Sequence, residues 1–321
     1  MGVLLLLLGL GVLIGGGEFL VRGAVGFSSV MKLSPLVIGM TIVAFGTSAP
    51  ELLVSLTSAL HDQSEIAIGN VVGSNIANIT LVLGVTAIIF PVLIDKQTKV
   101  LDLPTMLAVT AIFYLVCYDG TIVMWEGIMM VILIVSFTYF LIRSARKKSI
   151  DKGNEDWEDE VKDPGFWRSL FFLLVGFIGL YFGANWFIDG AVGIADYLLG
   201  DNPDKNTIIG VTVVAFGTSA PELVASGVAA YRKQTDISIG NLIGSNIFNI
   251  LVVLGITSIA KPLRVDQEVM SFDIFWVIGA ALLLSFVLII GKKVTRWEGV
   301  ILFLSYIAYL VVILLKVKGY F

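Results

Sequence analysis

The sequence predicts an all-α polytopic membrane protein with ten transmembrane helices arranged as two inverted five-helix repeats, and three observations lead there. First, 57% of the 321 residues are hydrophobic and only 14% charged, with a mean hydropathy of +0.94, too apolar for a soluble globular chain. Second, apolar runs long enough to cross about 30 Å of hydrocarbon, which takes roughly 20 helical residues, recur along the whole length. Third, one stretch occurs twice. Gly39-Met-Thr-Ile-Val-Ala-Phe-Gly-Thr-Ser-Ala-Pro-Glu51-Leu52 returns as Gly210-Val-Thr-Val-Val-Ala-Phe-Gly-Thr-Ser-Ala-Pro-Glu222-Leu223, identical at twelve of fourteen positions, with one apolar side chain exchanged for another at the rest.

In chain order the expected spans are 3–30, 36–60, 66–91, 102–118, 122–142, 167–199, 206–230, 237–260, 270–290 and 298–316. The first and sixth are overlong, a length that a strong tilt accommodates. Residues 3–14 have no preceding basic residue and no clear small-residue cleavage site, so the run reads as a helix rather than a signal peptide. Between the halves lies Arg143–Arg168, basic at Arg146-Lys-Lys148 and acidic at Glu155-Asp-Trp-Glu-Asp-Glu160. It is too short for a folded domain and reads as a solvated cytoplasmic linker.

The duplication extends beyond the opening motif. Gly69-Asn-Val-Val-Gly-Ser-Asn-Ile-Ala-Asn78 returns as Gly240-Asn-Leu-Ile-Gly-Ser-Asn-Ile-Phe-Asn249, and both motifs are displaced by one and the same interval, since 222 − 51 equals 249 − 78. Glu18-Phe-Leu-Val-Arg-Gly-Ala24 resembles Asn185-Trp-Phe-Ile-Asp-Gly-Ala191, and Trp125-Glu-Gly127 matches Trp297-Glu-Gly299. Residues 1–142 and 167–321 are thus two copies of one five-helix unit joined by the linker 143–166. Five is odd, so the second copy enters the membrane inverted, an architecture that places binding sites at the repeat interface near the midplane.

Lys and Arg are unevenly shared between alternating loops, fifteen in the set from Lys32 to Arg296 against five in the other, with Arg22 inside the first helix left over. The positive-inside rule then makes the linker cytoplasmic and puts both termini outside the cell membrane. No basic stripe points to nucleic acid, and no feature calls for an obligatory protein partner beyond the lipid bilayer. Cys117 and His61 are each alone, which excludes a disulfide framework and a Cys/His metal cluster. Cys117 reads as a small packing residue, and His61 as the cap of an external loop.

Glu51 and Glu222 sit well inside the second and seventh spans, where an ionisable group is costly unless it faces a cavity, a partner or an ion. Pro50 and Pro221 donate no backbone hydrogen bond and clash with the carbonyls of Gly46 and Gly217. The expected result is a kinked helix with freed carbonyls from Ala44 to Thr47 and from Ala215 to Thr218. Across from them, Ser74 with Asn78 and Ser245 with Asn249 are spaced i, i+4 and share a face. Gly69, Gly73, Gly240 and Gly244 are expected to let that face approach another helix closely. The donors are all oxygen, a set suited to hard cations such as Ca²⁺ and Na⁺. The rival in which Gly, Ser and Thr merely pack helices lacks a Lys or Arg at similar depth to neutralise either Glu.

The paired Gly-Thr-Ser-Ala-Pro-Glu segments, each followed by Gly-Asn-x-x-Gly-Ser-Asn, resemble the two alpha-repeats of prokaryotic-type sodium/calcium exchangers in the cation/calcium antiporter superfamily. The resemblance implies a secondary antiporter, not an enzyme, in which Na⁺ influx drives Ca²⁺ extrusion three for one by alternating access, without a cofactor. It also implies ion ligands at Glu51 and Glu222, at Thr47, Ser48, Thr218 and Ser219, at the carbonyls of Ala44 and Ala215, and at Ser74, Asn78, Ser245 and Asn249. The first and sixth helices would be the pair that slides past the ion-binding bundle. Asn249 stands where some prokaryotic exchangers and the potassium-dependent branch carry Asp, so this site has one fewer potential charge and a potassium requirement is disfavoured. The large calcium-sensing domains of animal exchangers are missing from this chain.

Two rivals stay open. In a Ca²⁺/H⁺ antiporter the same two glutamates would take up protons, although the abundance of hydroxyl and carbonyl ligands suits a monovalent metal ion better. A channel or membrane-embedded ion sensor is disfavoured by the inverted repeats.

Overall fold

The structure, a computed structural model, describes residues 2–151, 165–199 and 215–317. Expectations for the acidic half of the linker and for 206–214, where the seventh span and the second copy of the glycine-rich motif begin, lie outside the described residues. The helices are α1 (Gly2–Met31), α2 (Pro35–Thr47), α3 (Ala49–Leu60), α4 (Ser64–Ile89), α5 (Thr98–Cys117), α6 (Met124–Asp151), α7 (Phe166–Leu199), α8 (Ala215–Thr218), α9 (Ala220–Tyr231), α10 (Thr235–Ala260), α11 (Val269–Ile290) and α12 (Arg296–Val317). Among the described residues, eight helices are long and apolar enough to span a membrane, and α2 with α3, bent by 42° at their junction, make a ninth if taken as one span.

The sequence explains most boundaries. Ser34 accepts a hydrogen bond from the Val37 N–H ahead of Pro35, a sound helix start. In both Trp-Glu-Gly segments the glutamate reaches back to the chain before its helix, Glu126 to the Val123 N–H at 2.8 Å and Glu298 to the Thr295 N–H at 2.7 Å. α6 runs past residue 142 to Asp151 and so takes in the start of the expected linker. The Arg, Ala and Lys residues there are good helix formers and need not stop where the apolar run stops.

Among the described residues, five short segments have π-helical i→i+5 geometry: Gly39–Val43, Asn78–Val82, Thr98–Asp102, Asn249–Leu254 and Val269–Asp273. Asn249 follows Asn78, and Val269 follows Thr98, by the interval that separates the motifs, so the backbone repeats its irregularities with the period of the sequence.

α4 and α10 form the centre, 78% and 83% buried over their apolar stretches, whereas α6 and α12 are only 11% and 22% buried. Four two-residue strands, β1 (Val92–Leu93), β2 (Thr121–Ile122), β3 (Leu263–Arg264) and β4 (Lys293–Val294), pair antiparallel as β1 with β4 and β2 with β3. Each ribbon joins loops that the charge count puts on one side of the membrane. The contact of Gly127 with Gly255 is likewise matched by that of Gly299 with Gly84, each pairing one half with the other. Asp62 after α3 pairs with Lys261 after α10 at 2.6 Å, and this ammonium holds the Asp62 carboxyl below its usual range.

α1 and α7 lie along each other through a seam of small residues, with Gly9, Gly16 and Gly23 against the backbone of Phe187, Leu180 and Leu173. Arg22, left over by the charge count, bonds Glu18 at 2.6 Å, and Glu18 also receives Arg232 from the end of α9.

A Cβ at Gly240 would lie 2.5 Å from the Leu36 carbonyl oxygen and one at Gly244 2.7 Å from the Met40 backbone, so α10 approaches α2 as expected. A Cβ at Gly69 or Gly73 meets no described atom within 4 Å; the positions of the second half equivalent to Leu36 and Met40 lie outside the described residues. Gly244→Val is therefore expected to lower the thermal unfolding temperature of the detergent-purified protein, by overpacking worth about 1–3 kcal/mol.

Candidate functional site

Both acidic motifs break their helices at a serine. Ser48 (φ −90°, ψ 5°) and Ser219 (φ −88°, ψ 2°) leave the helical region just before α3 and α9, whose first turns hold Pro50 and Pro221. The absent Pro50 N–H releases the carbonyl of Gly46, not that of Ala44. The Ala44 carbonyl instead accepts the Ser48 N–H at 3.0 Å and the Thr47 hydroxyl at 3.4 Å, so within the expected run of freed carbonyls it is already engaged. Ala215 opens α8, the short helix that ends at Thr218. α7 covers both breaks, with the Phe177 ring against Gly46 and the Ile188 side chain against Gly217.

The bends bring the motifs of the two halves together. The Ser48 hydroxyl donates to Glu222 Oε1 at 3.3 Å. The Thr47 hydroxyl donates to Asn241 Oδ1 at 3.1 Å and lies 3.5 Å from the Ser245 hydroxyl. Asn249 Nδ2 donates to Asn75 Oδ1 at 3.2 Å. Thr47, Ser48, Glu51, Ser74, Asn78, Ser219, Glu222, Ser245 and Asn249 are all buried, and Thr218 is half-buried. Asn78 and Asn249 each open a π-helical segment, a distortion that often marks functional positions.

Buried polar atoms normally have hydrogen-bond partners. Here both oxygens of Glu51, Glu222 Oε2, the hydroxyls of Ser74 and Ser219, both amide atoms of Asn78 and Asn249 Oδ1 have none. All of them belong to the residues that the sequence singles out. Outside that set the buried hydroxyls of Thr98 and of Thr86 and Thr257, the last two at equivalent positions of the two copies, also lack partners. Among the described residues no three His, Cys, Asp or Glu side chains gather as a metal cluster. A cation at this place would therefore rest on the two carboxylates and on neutral oxygens, a donor set that fits a hard ion.

A supporting layer escaped the sequence reading. Asn70 Nδ2 donates to the Glu51 carbonyl at 3.1 Å and to the Ser55 hydroxyl at 2.9 Å, and Asn241 Nδ2 donates to the Ser226 hydroxyl at 3.1 Å. Asn70 and Asn241 occupy equivalent positions of the two copies, as do Ser55 and Ser226. Their identity across the copies was the available signal.

A family model described as sodium/calcium exchanger protein matches residues 1–143 and 168–315. Similar proteins include the putative antiporter CaxA of Alkalimonas amylolytica, 35% identical over 94% of this chain and 95% of that protein. The sodium/calcium exchanger MaX1 of Methanosarcina acetivorans is 34% identical over 97% of each chain. The inner membrane protein YrbG of Escherichia coli is 35% identical over 84% of this chain and 83% of its own length. Among solved structures, the sodium-calcium exchanger NCX_Mj soaked with Na⁺ and Ca²⁺ superimposes with a TM-score of 0.80 at 32% identity, covering 96% of both chains.

Asn241→Ala would strand the Ser226 hydroxyl and remove the acceptor that holds Thr47. The expected loss is about 1–3 kcal/mol of stability, read as a lower unfolding temperature. A smaller loss is expected for Asn241→Asp, which keeps the acceptor for Thr47.

Proposed function

The chain belongs to the sodium/calcium exchanger family, and from that premise we propose that it exchanges Na⁺ for Ca²⁺ across the cell membrane by alternating access. As a member of that family it is a multi-pass secondary transporter and not an enzyme. The ions would bind between the two halves, with Glu51 and Glu222 shared by Ca²⁺ and Na⁺. Thr47, Ser48, Thr218, Ser219, Ser74, Asn78, Ser245 and Asn249 would add neutral oxygens, together with the carbonyls of Ala44 and Ala215. The observation that carries this reading is the set of buried side-chain oxygens without protein partners, contributed by both acidic motifs and by both facing helices.

The reading extends to ten helices in two inverted repeats, 1–142 and 167–321, with both termini outside and the linker in the cytoplasm. The reciprocal strand and glycine contacts between the halves support it.

Coupling follows from charge. Competing ions that each neutralise the carboxylates would let the loaded carrier change sides, whereas the empty dianion meets a steep barrier in a low-dielectric bundle. Exchange would then outrun leak.

The test is radioactive Ca²⁺ uptake into proteoliposomes loaded with Na⁺, with K⁺, or with acidic buffer free of Na⁺. Uptake should require internal Na⁺ and fall by more than roughly tenfold in Glu51→Gln, since tenfold corresponds to only about 1.4 kcal/mol. Equal uptake driven by the acidic interior alone would replace Na⁺ by H⁺ as the counter-ion and overturn the sodium assignments.

A further inference from the structure

The Asn249 side chain is held at its Nδ2 end by an amide from the other half of the chain. Its Nδ2 donates to Asn75 Oδ1 at 3.2 Å, across 174 positions of sequence, while its own Oδ1 has no protein partner. Both residues are buried, at 0% and 1% exposure. The repeat does not dictate this contact. Asn246, which stands in the second copy where Asn75 stands in the first, donates to the Leu242 carbonyl of its own helix at 2.8 Å instead. Asn78, the counterpart of Asn249, has neither amide atom bonded.

A side-chain amide carries an acceptor at one end and two donors at the other, and its terminal torsion is broad and roughly two-fold. Only the oxygen end attracts a cation. A carboxylate at the same position would need no orienting, because both of its oxygens accept.

We propose that Asn75 is a positioning residue that binds the Asn249 amide hydrogens and thereby turns the Asn249 oxygen toward the transported cation. The inference rests on the exchanger reading of the site and names a residue outside its ligand set. Asn75 thus compensates for a neutral ligand at position 249. With the Nδ2 end held, the flipped amide, which would aim its hydrogens at the cation, is excluded without any added charge.

The experiment is calorimetric titration of the purified full-length protein with Ca²⁺ in Na⁺-free buffer, for the unaltered chain, Asn75→Ala, Asn249→Asp and the double variant. Asn75→Ala should raise the Ca²⁺ Kd about fivefold, the worth of one net hydrogen bond. In the Asn249→Asp background the same change should shift Kd by less than about twofold, because the carboxylate presents an oxygen either way. Equal weakening in both backgrounds would make Asn75 a general structural residue, and no weakening with Asn249 present would remove any role in binding. Either result overturns the proposal. Unfolding temperatures are recorded throughout, and if Asn75→Ala does not fold, Asn75→Leu fills the volume while still removing the acceptor. Absence of Ca²⁺ binding by the unaltered chain would instead count against the exchanger reading itself, and this inference would fall with it.

Discussion

Two carboxylates held at membrane depth without a cationic side chain beside them are the constraint on which the rest of the structure depends. Glu51 and Glu222 are each 1% exposed, and among the described residues no Lys or Arg bonds either of them. An uncompensated charge in such surroundings is expensive. The Ser48 hydroxyl reaches Glu222, and the same bundle buries neutral oxygens without partners at Ser219, Asn78 and Asn249, with backbone turned aside at the two serine breaks. In the exchanger reading, a bundle that breaks two helices to assemble such a set would leave the compensating charge to an ion.

The same chain solves the problem differently elsewhere. Glu18, also within an apolar helix, is matched by Arg22 on its own helix and by Arg232 at the end of α9. Arginine forks pair carboxylates well, and the three groups form a closed local balance. This cluster lies at the end of α9 and is partly exposed, whereas Glu51 and Glu222 are buried and have no such partner among the described residues. The bridge also ties α1 to α9, so the seam of α1 with α7 is joined to the half of the bundle that carries Glu222.

The sequence made the site legible to the extent that it wrote the site twice. A constant offset between the copies aligned Glu51 with Glu222 and Asn78 with Asn249, and a proline immediately before each Glu announced the breaks. What stayed hidden depends on three-dimensional encounter. Spacing tells that Thr47 and Ser48 lie near a bend, but not that they reach Asn241 and Glu222 on the other half. The π-helical segments at Gly39–Val43, Asn78–Val82 and Asn249–Leu254 were equally invisible, because one extra residue in a turn leaves no mark in a hydrophobic pattern.

The neutral amide at position 249 has an electrical consequence. With Asp there the site would hold three potential charges, whereas Glu51 and Glu222 alone supply two. One Ca²⁺ then balances the site fully, and so would two Na⁺. A third Na⁺ would leave the sodium-loaded carrier with one net positive charge. In a three-for-one exchange, voltage would thus act on the sodium-loaded half of the cycle, by about 2.3 kcal/mol per elementary charge per 100 mV, and leave the calcium-loaded half nearly untouched. Restoring a carboxylate at 249 would reverse this assignment, making the calcium-loaded carrier negative and the sodium-loaded one neutral. In the exchanger reading, the side chain at this one position, neutral or charged, would decide which half of the cycle the membrane potential drives.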